Sequence, residues 1–210
     1  MPSGVGCGDE VNCCGELLCA CGNNKLSPIM LPQQLCLLPF LLLMPAVAND
    51  LIIAARDNDL PVFQTAIQSS SADINGQNDA GGTALQWASY HGNFEMVDAL
   101  VSSGADIDLG NTLGYTPLIQ SIMNNHPAVA LYLIREKADV SRMTEDTHST
   151  ALHYASWHGS SMHNVVESLI DSGANMMASD KHGHRPISIA NGEGHRAVRD
   201  MIGRRSGETL

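Results

Sequence analysis

The chain has 210 residues, with 22 acidic and 11 basic side chains and a formal net charge of −11. That balance excludes a protein that grips nucleic acid through a positive face, and 4% aromatic residues is too few for a β-sandwich core or a haem pocket. The length suits one domain or a short repeat array with a core of useful size.

The six cysteines are Cys7, Cys13, Cys14, Cys19, Cys21 and Cys36, so the chain divides into a thiol-bearing start and a thiol-free remainder. From Leu35 to Met44 runs an apolar stretch broken by Pro39. Crossing a bilayer takes about 20 apolar residues, so this run is too short to span; it has the length of a secretory signal core. Ala46 and Ala48 stand at the small-residue places of a cleavage site, which predicts a mature start at Asn49. Against this, the run begins far from Met1, and the only base before it is Lys25, beside Asp9, Glu10 and Glu16. A start at Met30 answers the first objection: residues 30–48 are then the signal and 1–29 an upstream extension with no fold of its own. The cysteines lack the paired C-x-x-C spacing of a zinc site, and no cysteine follows the apolar run to carry a lipid.

Beyond the leader the chain repeats itself. Thr83-Ala84-Leu85 through Gly104-Ala105-Asp106 matches Thr116-Pro117-Leu118 through Lys137-Ala138-Asp139 at an offset of 33 residues. A third copy opens at Thr150-Ala151-Leu152-His153, and its Ala-Ser-Trp-His-Gly echoes Ala88-Ser89-Tyr90-His91-Gly92. It carries two extra residues between Gly159 and Val165. A fourth opens at Asp180-Lys181-His182-Gly183-His184-Arg185-Pro186, and a degenerate copy precedes them all. Within one repeat, small residues such as Ala88 and Ala155 let a short inner helix pack tightly. Val97, Leu100 and Val101 give an outer helix its apolar stripe. Gly104 ends that helix in a left-handed cap, and an Asp/Asn/Gly-rich turn follows. No repeat buries its stripe alone, so stability comes from stacking.

This pattern resembles the ankyrin repeat family, whose copies open G-x-T-P-L-H-x-A-A-x-x-G and close L-L-x-x-G-A-D-x-N. The resemblance implies an all-α repeat solenoid of about five helix-turn-helix repeats with short β-hairpin fingers, near 50–78, 79–111, 112–144, 145–179 and 180–205, within a domain of residues 49–205 and a tail at 206–210. Departures are Gln86 and Ile119 in the usual His place, Lys137 for the turn Gly, and Arg185 for Thr. The end copies read as caps. Residues 57–108 hold eight acids and no base, whereas 181–205 hold six bases against Glu193 and Asp200. That grading fits either solvated cap surfaces or electrostatic guidance of a partner.

In this family the concave face carries binding, through hairpin tips and exposed inner-helix positions. Carried over residue by residue, that expectation selects Asp57, Tyr90, His91, Met123, Asn124, Trp157 and His158, with Tyr115 from a hairpin. Exposed aromatics are the usual anchors of protein interfaces; the alternative is that Tyr90 or Trp157 packs onto the next repeat. His153, in the T-P-L-H place, is expected to hydrogen-bond within and between repeats. His148, His182 and His184 would form a Zn²⁺ or Cu²⁺ site only if neighbouring hairpins bring them together. The sequence has no G-x-S-x-G, H-E-x-x-H or glycine-rich phosphate loop, so neither catalysis nor a cofactor is expected.

The expectation is therefore a monomeric, non-catalytic binding protein, periplasmic or secreted once cleaved after Ala48, without a membrane anchor. Its resemblance to small exported bacterial ankyrin proteins implies an enzyme as partner, protected or inhibited. The rival readings are a cytosolic scaffold, a host-directed effector, and a metal buffer built on the three hairpin histidines.

Overall fold

A computed structural model describes residues 50–69 and 72–207. The upstream extension, the apolar leader and the cleavage after Ala48 lie outside those residues. The described chain alternates short helices in five pairs: α1 (Asp50–Arg56) with α2 (Leu60–Ile67), α3 (Ala84–His91) with α4 (Phe94–Ser102), α5 (Pro117–Met123) with α6 (Pro127–Arg135), α7 (Ala151–His158) with α8 (His163–Asp171), and α9 (Pro186–Gly192) with α10 (Arg196–Ser206). No described helix is long and apolar enough to cross a membrane.

Side chains set the helix starts. The Thr83 hydroxyl accepts from Gln86 N while Gln86 Oε1 accepts from Thr83 N, a reciprocal cap. Asp59, Asn93 and Thr116 cap α2, α4 and α5 in the simpler way. Pro61, Pro117, Pro127 and Pro186 occupy first-turn positions, where the missing N–H costs nothing. Each inner helix ends before a residue with positive φ: Asn58, Gly92, Asn125, Gly159 and Gly194.

The pairs stack into two layers. The inner layer runs α1, α3, α5, α7, α9, with α3 packed between α1 and α5 and α7 between α5 and α9. Close approach depends on small side chains: Ala88, Ser121, Ala155 and Ala190 are fully buried. The outer layer contributes Met96, Val97 and Leu100 from α4, Val129 and Leu133 from α6, Val165, Val166 and Leu169 from α8, and Val198 and Ile202 from α10. The core is thus one continuous ribbon between the layers. The two extra residues of the fourth repeat are absorbed by a 3₁₀ turn, Gly159–Met162, whose Met162 is fully buried.

The loops between pairs project as fingers, but no strand forms among the described residues; the one pairing is an isolated antiparallel bridge between Met143 and Thr150. Side chains, rather than a ladder, close these turns. Asn78 Oδ1 accepts from the backbone N–H groups of Ala80 and Gly82, Asn111 Oδ1 from Leu113 and Tyr115, and Asp180 Oδ1 from His182 and His184. Successive fingers are then tied by one backbone bond each, Thr112 N to Ala80 O, Glu145 N to Leu113 O and Lys181 N to Thr147 O, with side-chain bonds beside them. Lys137 does stand in the turn-glycine place, at φ 72°.

Candidate partner-binding face

Residues three apart on a helix share a face, and the stacked inner helices leave two such positions per repeat uncovered by the outer layer. One row is Ile53, Trp87, Gln120, Tyr154 and Ile189. The other is Arg56, Tyr90, Met123, Trp157 and Gly192. Trp157 is 58% exposed and Tyr90 43%, so neither is buried beneath the next repeat. Met123 is half-buried. The sequence reading reached Tyr90, Met123 and Trp157 of the second row, took Asp57 rather than Arg56 in the first repeat, and missed the first row; the signal for that row was the i, i+3 spacing of Trp87 with Tyr90 and of Tyr154 with Trp157. In the structure Trp87 and Tyr90 meet edge-on, with ring centroids 5.8 Å apart. The Trp87 indole Nε1 is buried without a hydrogen-bond partner among the described residues.

Two hollows lie along this face. A cleft of about 210 Å³ is lined by Gln86, Trp87, Tyr90, Asn111 and Gln120. A wider one, about 400 Å³, is lined by Met123, Tyr154, Trp157, His158, His184 and Ile189. Tyr115 stands at the base of its finger, where its hydroxyl donates to Asp146 Oδ2 at 2.9 Å. Burial, then the neighbouring Tyr154 hydroxyl and the Asp146 carboxylate, push the Tyr115 hydroxyl far above its ordinary pKa, so it stays a donor.

The other expected site residues are engaged within the array. Asp57 is bridged by Arg56, whose Nε lies 2.9 Å from Oδ1, and that hydrogen bond holds the carboxyl below its ordinary pKa. Asn124 Nδ2 donates to Gln120 O at 2.9 Å. His91 Nε2 lies 2.7 Å from Arg56 O, and His158 Nε2 lies 3.0 Å from Met123 O. His126 and His195 do the same for Tyr90 O and Trp157 O, both at 2.9 Å. At every repeat junction, then, an imidazole from one repeat meets a carbonyl at the C-terminal end of the preceding inner helix, where carbonyls lack intrahelical partners. The sequence reading offered His91 and His158 as partner contacts and gave His126 and His195 no role.

The T-P-L-H position carries a related bond. His153 Nδ1 pairs with the Thr150 N–H, and its Nε2 lies 3.2 Å from His184 O in the next repeat. Burial pushes the ring below its ordinary pKa, and so holds it neutral. In the second repeat Gln86 reproduces both bonds: its Oε1 accepts from Thr83 N and its Nε2 donates to Tyr115 O. Ile119 makes neither and is simply buried.

The three hairpin histidines do not assemble into a metal site. His182 and His184 have ring centroids 5.9 Å apart, and His184 Nδ1 lies 3.3 Å from Asp180 Oδ2. His148 is held in a left-handed turn conformation and lines a separate cleft with Gly114 and Arg142. Among the described residues no group of three or more His, Cys, Asp or Glu is placed to hold an ion.

Family models describing ankyrin repeats match residues 51–144 as three copies and residues 147–181 as a further one. The chain belongs to the ankyrin repeat family. It is 32% identical over 126 residues to the E3 ubiquitin-protein ligase hecd-1 of Caenorhabditis elegans, covering 60% of this chain and 5% of that protein. Against a palmitoyltransferase of Lachancea kluyveri the identity is 31% over 139 residues, 64% of this chain and 18% of the relative. A mitochondrial disaggregase of Bos taurus is 29% identical over 144 residues, covering 67% and 20%. The chain thus spans a fifth or less of these ankyrin-bearing relatives, and what it shares with them is the repeat region. Ankyrin repeats in general mediate protein–protein binding.

Proposed function

We propose that this chain is a non-catalytic binding module that grips one protein partner, an enzyme it protects or inhibits, on the exposed face of its inner helices. The observation that carries this reading is the ladder of Tyr90, Met123 and Trp157, with Trp87 and Tyr154 beside it. Two of its aromatics are more than two-fifths exposed, in a chain with only 4% aromatic residues. Large rigid side chains left open beside hollows are what interface hot spots consist of. Export rests on the apolar run from Leu35 to Met44 with Ala46 and Ala48 behind it. The enzyme partner rests on the resemblance to small exported ankyrin proteins.

The test is affinity capture by the full chain and by its Tyr90→Ala/Trp157→Ala variant from cell fractions. Loss of about 3 kcal/mol or more of binding, with folding intact, is expected of paired hot spots; undiminished capture by the variant refutes the assignment. Mass spectrometry of the N-terminus adds the second arm: a chain starting at Asn49 supports export, and an intact Met1 in a cytosolic pool refutes it. A cytosolic scaffold is the second reading, favoured by relatives named as ligases and transferases that carry ankyrin regions alongside other domains.

A further inference from the structure

We infer that the hollow at the junction of the fourth and fifth repeats is a site for a small organic cation: a primary ammonium carried on an apolar body, bound by the Asp180 carboxylate beside the Tyr154 and Trp157 rings. It is a small-molecule site, separate in chemistry and in test from the grip on a protein partner.

Each hollow follows the same plan: an aromatic pair from one inner helix, the residue that closes the next finger, and a side chain from the next inner helix. In the smaller these are Trp87 with Tyr90, then Asn111, then Gln120. In the larger they are Tyr154 with Trp157, then Asp180, then Ile189. The larger thus exchanges Asn111 and Gln120 for a carboxylate and an apolar side chain, and its volume of about 400 Å³ is that of a small-molecule pocket. The finger does not need the charge. Asn78 and Asn111 close theirs by accepting from the same two backbone positions, two and four residues on, that Asp180 Oδ1 serves.

Asp180 is the only Asp, Glu, Lys or Arg among the residues lining the larger hollow. Its side chain is 10% exposed, and among the described residues no Lys or Arg pairs with it: Lys181 Nζ donates to Asp146 O at 2.7 Å, and Arg185 Nη1 lies on the Met177 sulfur. Burial pushes the carboxyl up, but the backbone N–H groups of His184 and His182 outweigh it and hold Asp180 below its ordinary pKa, so it is ionised. Those two donors fill Oδ1. Oδ2 has one contact, His184 Nδ1 at 3.3 Å, longer than the about 2.8 Å of a charge-assisted N–H···O bond. A carboxylate so enclosed, with one oxygen so weakly engaged, favours a cation that also donates. The buried His153 does not compete: burial holds it neutral, and its two ring nitrogens are bonded to Thr150 N and His184 O.

The rest of the lining selects the kind of cation. Aromatic rings such as those of Tyr154 and Trp157 attract positive charge, and Met123 and Ile189 provide apolar contact. An anion would meet Asp180 with like charge. A quaternary ammonium has no N–H for Oδ2, whereas a primary ammonium has three donors. A lysine side chain carries the same group on a four-carbon stem, which is slender for a hollow of this size. A free amine with an aromatic body fills it better and leaves fewer lining atoms without contacts.

The test titrates the full chain with phenethylamine, phenethyl alcohol, hydrocinnamate and Nα-acetyl-lysine methylamide, and reads binding from the indole N–H resonances. The chain has two tryptophans, Trp87 at the smaller hollow and Trp157 at the larger. Phenethylamine should shift Trp157 and leave Trp87 in place. Phenethyl alcohol should bind about tenfold more weakly, and hydrocinnamate more weakly still. Asp180→Asn keeps the closure that Asn78 and Asn111 make, so it should fold as the wild type does and weaken phenethylamine about tenfold. The comparison of amine with alcohol needs no variant. Equal affinity for the two, a shift at Trp87 alone, no binding at millimolar amine, or undiminished binding by Asp180→Asn overturns the inference. Tighter binding of the lysine derivative than of phenethylamine also overturns it, the ammonium then being a partner's side chain. Asp180→Asn leaves Tyr90 and Trp157 in place, so its outcome is independent of the capture experiment with Tyr90→Ala/Trp157→Ala.

Discussion

Gly92 is the position where one methyl group should cost most for its size. Its φ is +69°, and a Cβ built there would lie 2.3 Å from Nδ1 of His126, well inside contact distance. The His126 backbone cannot withdraw, since its N–H donates to Ser121 O at 2.8 Å and its carbonyl accepts from Ala130 N at 3.1 Å, so the ring itself must swing away. The Gly92→Ala substitution therefore adds left-handed backbone strain of about 1 kcal/mol. It also displaces the imidazole from Tyr90 O, a loss of about 1 kcal/mol, and disturbs the packing around the ring. The sum is about 2–3 kcal/mol, which for a domain of this size lowers Tm by roughly 5–10 °C. Thermal and urea denaturation followed by circular dichroism measure it, and a double-mutant cycle with His126→Ala isolates the contact. In the His126→Ala background Gly92→Ala should cost only the strain, about 1 kcal/mol. Equal costs in the two backgrounds would refute the reasoning, because the penalty would then owe nothing to the ring.

Gly159→Ala should be worse, since φ +62° with ψ −116° lies outside the left-handed well and the new Cβ would meet His195 Cγ at 2.2 Å; denaturation should show at least about 3 kcal/mol lost. Lys137→Gly should stabilise by about 0.5–1 kcal/mol, because exposed Lys137 holds φ 72° with a Cβ that opposes it; an unchanged Tm would contradict this. His153→Ala should cost about 2–3 kcal/mol by stripping a buried N–H and a carbonyl of their partner, whereas His153→Gln should cost less than about 1 kcal/mol, Gln86 being the working precedent. The buried His153 ring has a pKa below its ordinary 6.5, so the unfolded chain binds the proton first as pH falls. The His153 contribution is thus complete above pH 6.5 and declines below it. His153→Gln should remove that part of the pH dependence in a melting series, leaving the loss at lower pH from Asp139, Asp146 and Asp180, each held below its ordinary pKa. Finally, Tyr132→Phe should cost about 1 kcal/mol, since burial and the 2.7 Å bond to Asp98 raise that hydroxyl to a pKa of about 12.

The sequence by itself determined the repeat, its helix pairs and the buried stripes, because each is a local property. The Thr83 and Thr116 caps, the small Ala88 and Ala155, and the run Val97, Leu100, Val101 act within one repeat, and a 3.6-residue period exposes them directly. It also reached Tyr90 and Trp157 as candidates by helix phase, though only stacking decided that neighbours leave them exposed. Only stacking decided the rest. Whether an imidazole faces solvent or the neighbour's carbonyl depends on the offset between repeats, which no single repeat encodes. His91 and His158 accordingly proved to make junction bonds to the preceding repeat, and His126 and His195 joined them. The same offset kept His148 apart from His182 and His184, and it opened the two hollows along the inner helices, the smaller of them lined by Gln120, a residue with nothing in its local sequence to mark it.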